Sequence, residues 1–258
     1  MNGAELRVLA AQQGFDVGTL EKDYALTVLL KAIYTEDSTP VIAFKGGTAL
    51  QKIYLGHRRL SEDLDFTALE PEDGTTGDTI LSRLNAYEFP RDLRTEVLKA
   101  RYGGLRVKYL GPLEHPNSVR IEVSHRERPF RRPVWTNVPH FYEDEIGPFD
   151  ALCLDLDEMV AEKIRAAMSP GREKPRDILD LFLIEESHPG ILAKTLPDAR
   201  SKCEGVSQEF GLALIERKKA VLGALWGSDL RRLARGGKYP DFETVYPTVM
   251  KAFKKKSQ

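Results

Sequence analysis

Residues 60–66 read Leu-Ser-Glu-Asp-Leu-Asp-Phe, and this stretch restricts the fold more than any other part of the chain. Leu60, Leu64 and Phe66 alternate with Asp63 and Asp65. A strand sends alternate side chains to opposite faces, so the two carboxylates share one side of a sheet while the apolar residues bury the other. Gly46-Gly47 lies sixteen residues before Asp63, after the apolar run Val41-Ile42-Ala43-Phe44. That run has strand length and is bounded by Lys45-Gly46-Gly47; Thr48 is then placed to cap a helix over Ala49 to Leu55 that stops at Gly56.

The rest of the pattern supplies neighbours for these strands. Val8 to Tyr34 reads as one helix, with Leu20, Tyr24, Leu26, Val28, Leu29 and Ile33 near a 3.6 period, and Thr39-Pro40 punctuates before the first strand. Glu70 to Asp78 is a polar loop, and Thr79 to Ala100 reads as an amphipathic helix interrupted at Pro90. Strands are predicted at Leu105 to Leu110 and Val119 to Ser124, the second carrying Glu122 between Ile121 and Val123. Beyond Trp135 the chain turns helical: Leu156 to Ala167 follows the cap candidate Asp155, Arg176 to Ile184 starts a second helix, and Leu192 to Phe253 is mostly helical before a basic tail. The predicted fold is α+β, with a small mixed sheet and flanking helices in 1–150 and a helical domain in 151–258.

Composition narrows the class. With 258 residues, 41% of them hydrophobic and 30% charged, the chain can bury a core and is not a disordered or fibrous sequence. Cys153 and Cys203 lie fifty positions apart with no metal-ligand spacing, so neither a disulfide framework nor a zinc site is indicated. No apolar stretch approaches the roughly 18 residues that span a bilayer, and the start lacks the pattern of a secretion signal; a soluble cytoplasmic protein is expected. The net charge is −1, but it is sorted into blocks. Arg91 to Arg132 holds eleven Lys/Arg against five Asp/Glu, whereas Phe141 to Glu162 holds eight acids and no Lys/Arg. The basic block either steers a polyanion or is a solvated face balanced by the acidic block.

If the strands carrying Asp63, Asp65 and Glu122 are neighbours, three carboxylates converge beside Gly46-Gly47. Such groups repel unless a cation neutralises them, and oxygen donors of this kind suit Mg²⁺, which completes its shell with water and substrate phosphates. That chemistry is nucleotidyl or phosphoryl transfer. The bland alternatives are a ligand-free turn at Gly46-Gly47, the wet side of an edge strand at Asp63 and Asp65, and an ordinary helix surface of i, i+4 pairs at Glu158, Glu162, Lys163 and Arg165. His57 and His125 read as structural or as phosphate contacts, and Trp135 and Trp226 as core. Arg126, Arg128, Arg131 and Arg132 could cradle RNA phosphates.

Four stretches and one strand together resemble the DNA polymerase β-like nucleotidyltransferases, and within them the AbiEii/MenT-type toxins of bacterial toxin–antitoxin and phage-defence systems. They are Glu21-Lys22-Asp23-Tyr24, Phe44-Lys45-Gly46-Gly47-Thr48-Ala49-Leu50, Arg59-Leu60-Ser61-Glu62-Asp63-Leu64-Asp65-Phe66, the pair Glu162-Lys163-Ile164-Arg165 and Arg176-Asp177-Ile178-Leu179-Asp180-Leu181, and Arg120-Ile121-Glu122-Val123-Ser124. The resemblance implies that Lys45, Gly46, Gly47 and Thr48 hold the triphosphate of an NTP, with Ser61 nearby, and that Asp63 and Asp65 bind Mg²⁺ or Mn²⁺. Glu122 then binds metal or serves as general base. Lys163 matches a family lysine that meets the triphosphate. Either Asp177 or Asp180 matches a family acid, with Arg176 orienting it. The gap from Gly47 to Asp63 is slightly longer than in many such enzymes.

The same resemblance implies a helical domain closing over the nucleotide and transfer of NMP to RNA, foremost the 3′ end of tRNA. Blocked translation and an AbiEi-type antitoxin partner follow from it. The competing readings are a protein or small-molecule acceptor, and a nucleotide- or RNA-binding module without catalysis.

Overall fold

The computed structural model describes residues 1–35, 41–69, 76–99, 104–126 and 128–254. Thr39-Pro40, most of the polar loop after Leu69, and the last residues of the basic tail lie outside the described residues. The chain divides into two compact units, Met1–Leu154 and Asp155–Gln258.

In the first unit, helix α1 (Gly3–Gln13) ends at Gly14, which turns left-handed at φ 72°, and α2 (Val17–Tyr34) restarts at Asp16, whose carboxylate accepts the Thr19 N–H at 2.9 Å. The single helix expected from Val8 to Tyr34 is therefore two. Gly14 and Asp16 are the stop and start signals that the continuous apolar stripe obscures. Strands β1 (Ile42–Lys45), β2 (Asp63–Ala68), β3 (Arg94–Lys99), β4 (Leu105–Leu110), β5 (Pro116–Ser124), β6 (Val134–Asn137) and β7 (Asp150–Cys153) form, among the described residues, one mixed sheet in the order β3-β4-β5-β2-β1-β7-β6. Helices α3 (Gly46–Ala49), α4 (Thr76–Ala86) and α5 (Glu143–Ile146) complete the unit.

β1 runs antiparallel to β2, and β2 runs parallel to β5. Phe44 lies opposite Phe66, and Leu64 opposite Ile121; all four are buried, each contributing on the order of 1.5–3 kcal/mol. Tyr34 at the end of α2 approaches the Phe66 ring at 6.3 Å between centroids. Two departures from expectation concern strands. Arg94–Lys99, expected as the second half of a helix, pairs in full with β4, where Thr95 and Val97 fit a pleated edge better than a helix. β6 and β7 are four residues each and too short to show a period.

A buried ion pair ties α2 to the segment behind the glycines. Asp23 and Lys52 are 1% and 2% exposed, and Asp23 Oδ1 meets Lys52 Nζ at 2.8 Å. Tyr142 donates its hydroxyl to Asp23 Oδ2 at 3.1 Å, and Lys52 also donates to Thr27 Oγ1 at 3.0 Å. Lys52 belongs to the wide helical turn Leu50–Tyr54 that continues α3. The neighbouring residues of the same motif have similar structural work. Glu21 Oε1 accepts the Leu113 N–H at 2.6 Å across Gly111, and Tyr24 donates to Asp92 at 3.1 Å.

In the second unit α6 (Leu156–Met168) starts at Asp155, whose carboxylate accepts the Asp157 N–H, and α7 (Pro175–Ser187) starts with proline at its first position, where no N–H is needed. Helices α8 (Ile191–Gly205), α9 (Ala213–Glu216), α10 (Lys219–Leu230) and α11 (Phe242–Ala252) follow. Glu158 and Glu162 of α6 both reach the buried Lys202 of α8, at 2.6 and 3.4 Å.

Removing one partner of the Asp23–Lys52 pair strands a buried charge. Lys52→Met is expected to destabilise the first unit by about 3–5 kcal/mol in urea unfolding, whereas Asp23→Leu/Lys52→Met together lose much less. A loss of under about 1 kcal/mol in the single variant contradicts the assignment.

Candidate active site

The register of β1, β2 and β5 decides which side chains share a face. Asp65 lies opposite Lys45 of β1 on one side and Glu122 of β5 on the other, and Asp63 lies opposite Arg120. Directly opposed residues project to the same side of a sheet, so Lys45, Asp63, Asp65, Arg120 and Glu122 occupy one face and Phe44, Leu64, Phe66 and Ile121 the other.

Backbone geometry at the glycines completes this corner. Gly46 has φ +77°, and a Cβ added there would sit 2.2 Å from Asp65 Oδ2, so the carboxylate occupies the space that any other residue would fill. A Cβ at Gly47 would meet Ser61 Oγ at 3.1 Å and Arg59 Nη2 at 3.3 Å. Ser61 and the buried Arg59 guanidinium therefore line the glycine segment, and Arg59 is fixed by its hydrogen bond to the Leu60 carbonyl at 2.7 Å. Thr48 does not cap the helix. The helix begins at Gly46, and Thr48 Oγ1 donates to the Asp63 carbonyl at 2.5 Å, clamping the helix to the start of β2.

Arg120 is a cation among the carboxylates. Its Nη1 donates to Glu122 Oε1 at 2.9 Å and its Nε lies 4.0 Å from Asp63 Oδ1. The hydrogen bond to Glu122, with the charges of Asp63 and Glu122, raises the guanidinium above its usual range. Glu122 thus stands opposite Asp65 in register while its carboxylate engages Arg120. Among the described residues no three His, Cys, Asp or Glu side chains converge at metal-binding distance. Alternation alone places Arg120 beside Glu122, two residues away on the same strand, which is the signal that sequence reading overlooked.

The second unit carries its own polar cluster. Lys163 Nζ of α6 lies 3.0 Å from Asp177 Oδ1 and 3.0 Å from Asp180 Oδ2, both on α7 and both buried. The two acids left open by sequence therefore hold the same lysine. Burial by itself would raise the Asp177 carboxyl, but the charges and hydrogen bonds of Lys163 and Arg172 hold it well below the ordinary carboxylate range. Arg172 Nε donates to Asp177 Oδ2 at 2.7 Å. Arg172 thus joins Lys163 in orienting Asp177, while the backbone N–H of Arg176 donates to Asp229 Oδ2 at 3.2 Å and its Nε lies 4.0 Å from the same oxygen. Lys218 fixes the loop between the helices through the carbonyls of Ala167, Ser169 and Arg172, and its burial lowers the ammonium from its usual range.

The aromatic and histidine expectations divide. Trp226 is buried, but Trp135 is 50% exposed with its ring edge-on to Tyr34. His57 is buried with its ring 4.5 Å from Phe141. Cys153 and Cys203 are both buried, and among the described residues no helix is long and apolar enough to cross a membrane.

The family model for the nucleotidyl transferase AbiEii toxin of type IV toxin–antitoxin systems matches residues 28–248. No curated protein matches the chain. Among solved structures, MenT4, a nucleotidyltransferase toxin from Mycobacterium tuberculosis H37Rv, is similar with a TM-score of 0.71 at 17% identity, over 98% of this chain and 89% of that one. JHP933 from Helicobacter pylori is similar with a TM-score of 0.58 at 18% identity, over 93% and 91% of the respective chains. These two likenesses establish the fold, with its mixed sheet and helices. The family match spans most of the chain and takes in every stretch from Phe44 to Leu181 described above, so the protein belongs to the AbiEii family of nucleotidyltransferase toxins.

Proposed function

We propose that the chain moves a nucleoside monophosphate from an NTP to the 3′ end of an RNA, foremost tRNA, and that the resulting block of translation is the toxic effect. The observation that carries the reading is the placement of the Asp65 carboxylate in the space left by the missing Cβ of Gly46, with Asp63 on the same face and Glu122 in register. Asp63 and Asp65 fit a divalent cation of the Mg²⁺ or Mn²⁺ kind, because two carboxylate donors on one face are what a partly hydrated Mg²⁺ takes from a protein. When bound, that ion supplies charge neutralisation at the transferring phosphate.

The chain's own residues do the remainder. Lys45 and the segment Gly46, Gly47 and Thr48, with Ser61 beside it, are assigned to the triphosphate; the positive φ at Gly46 and the missing side chains let an anion approach the backbone closely. Glu122 is assigned as the base that takes the proton of the acceptor hydroxyl. The acceptor oxygen bonds to the α-phosphorus, the bond from that phosphorus to the β-phosphate bridging oxygen breaks, and pyrophosphate leaves with the electron pair. Arg120 holds Glu122 in place while limiting repulsion between it and the aspartates. Lys163, held by Asp177 and Asp180, is assigned to NTP use in the second unit, with Arg172 helping to keep Asp177 charged. An AbiEi-type antitoxin is the expected partner, and a cytoplasmic location follows from an RNA substrate.

Asp63→Asn should reduce transfer of labelled nucleotide to RNA by about 100-fold or more without lowering the thermal midpoint, since it removes a charge that repels its neighbours. Activity within a few-fold of wild type contradicts the site. Gly46→Ala should likewise abolish transfer, because its methyl displaces the Asp65 carboxylate. Lys163→Ala should raise KM for NTP about 10-fold while RNA affinity is kept; unchanged NTP kinetics remove Lys163 from the proposal.

A further inference from the structure

The face that carries Asp63, Asp65 and Glu122 does not end at β5. Arg120 lies directly opposite Arg106 of β4, Ser118 opposite Lys108, and Arg106 and Lys108 opposite Leu98 and Glu96 of β3; Arg94 of β3 pairs with Leu110 in the same alternation. By the strand period, Arg94, Glu96, Arg106, Lys108, Ser118, Arg120 and Glu122 all project to the side of the aspartates, while Leu105, Val107, Val119 and Ile121 are buried on the other. The charged members of this stripe are exposed. An open groove of about 580 Å³ is lined by Arg94, Glu96, Arg106, Lys108 and Ser118 of this stripe, together with residues of the alternate positions such as Thr95 and Asn117.

Like charges directly opposite one another in a sheet are destabilising. Arg106 and Arg120 are such a pair, and a further two cations stand on the same face within two strands. Lys108 meets Glu96 at 3.3 Å, and among the described residues Arg106 reaches a neutral hydroxyl, Ser118 Oγ, at 3.4 Å. A surface that merely had to be wet would be served by mixed or neutral residues. Four cations against two acids, continuous with the transfer residues, instead complement a polyanion.

We propose that the open face of β3, β4 and β5 is the acceptor track, on which Arg94, Arg106 and Lys108 hold the phosphodiester backbone of the RNA whose 3′ end reaches Asp63 and Glu122. The inference rests on the reading of the chain as an RNA nucleotidyltransferase and gives that substrate its surface. Part of the basic block of the sequence then has a definite place: Arg94, Arg106 and Lys108 form the track. Phosphate contacts of this kind position the strand without reading bases, so discrimination between RNAs comes from elsewhere.

The test measures binding apart from catalysis. Fluorescence anisotropy of 5′-labelled single-stranded RNA and of deacylated tRNA is followed from about 50 to 200 mM salt for the wild type, for Arg106→Gln/Lys108→Gln, and for Lys99→Gln, whose side chain leaves β3 on the other face and pairs with Asp78. The track predicts that the double variant binds RNA at least 10-fold more weakly at the low-salt end and that its log–log salt slope is shallower by about 1.4–1.8, whereas Lys99→Gln behaves as wild type. Lys99→Gln should melt like the wild type, and the double variant at the same temperature or higher, since it relieves the opposition of Arg106 and Arg120.

Equal RNA affinity and slope in the double variant overturns the proposal, as does a wild type that binds no RNA. Release of an acidic protein partner by the double variant with RNA affinity unchanged overturns it too, and assigns the face to that protein. Binding that depends on the track without any transfer of nucleotide to the bound RNA supports the track and refutes the transfer reading. Transfer to RNA with binding unaffected by the double variant does the reverse.

Discussion

A single methyl group at residue 46 would lie 2.2 Å from Asp65 Oδ2, and the corner of the sheet is built around its absence. Because Gly46 has neither a Cβ nor a preference against φ +77°, the chain can leave β1, turn at once into α3, and let the carboxylate of the antiparallel neighbour lie across the turn. The order of the sheet then does the rest. With β2 between β1 and β5, one strand presents Asp63 and Asp65 to the glycines on one side and to Arg120 and Glu122 on the other.

Rigidity at this corner comes from ion pairs and hydrogen bonds that join its elements. The Asp23–Lys52 ion pair, satisfied further by Tyr142 and Thr27, joins α2 to the helical turn that extends α3. Thr48 fastens that helix to β2 from the opposite side through the Asp63 carbonyl. A fully hydrogen-bonded buried pair contributes less to net stability than to holding one arrangement, and here the arrangement held is the approach of the glycine segment to the aspartates. Lys163 is fixed by a comparable device, with Asp177 and Asp180 sharing its charge and Arg172 supporting Asp177.

What the sequence makes legible follows physical range. Alternation at 60–66, 105–110 and 119–124 gives strands and their wet faces because that information is local, and the helix after Asp155 is announced by its cap. The same rule extends to Arg120, which shares a face with Glu122 by period alone. The pairing of Asp23 with Lys52, 29 residues away, and of Glu21 with the turn after β4 depends on tertiary placement that no local pattern encodes. Arg94–Lys99 fails for a related reason: its edge-strand state is decided by hydrogen bonds from β4, against an amphipathic pattern that also reads as helix. Arg172 escaped notice because it lies in the loop before α7, where spacing carries no face information.

The central claim is that this face performs nucleotidyl rather than phosphoryl transfer to RNA. Parallel reactions with α-labelled and γ-labelled NTP, each supplied with tRNA and Mg²⁺, separate the two by where the label goes. The account predicts that the α label becomes covalently attached to the RNA while the γ label appears only in pyrophosphate. A γ label on the RNA, or RNA left unlabelled in both reactions while NTP is consumed, contradicts it.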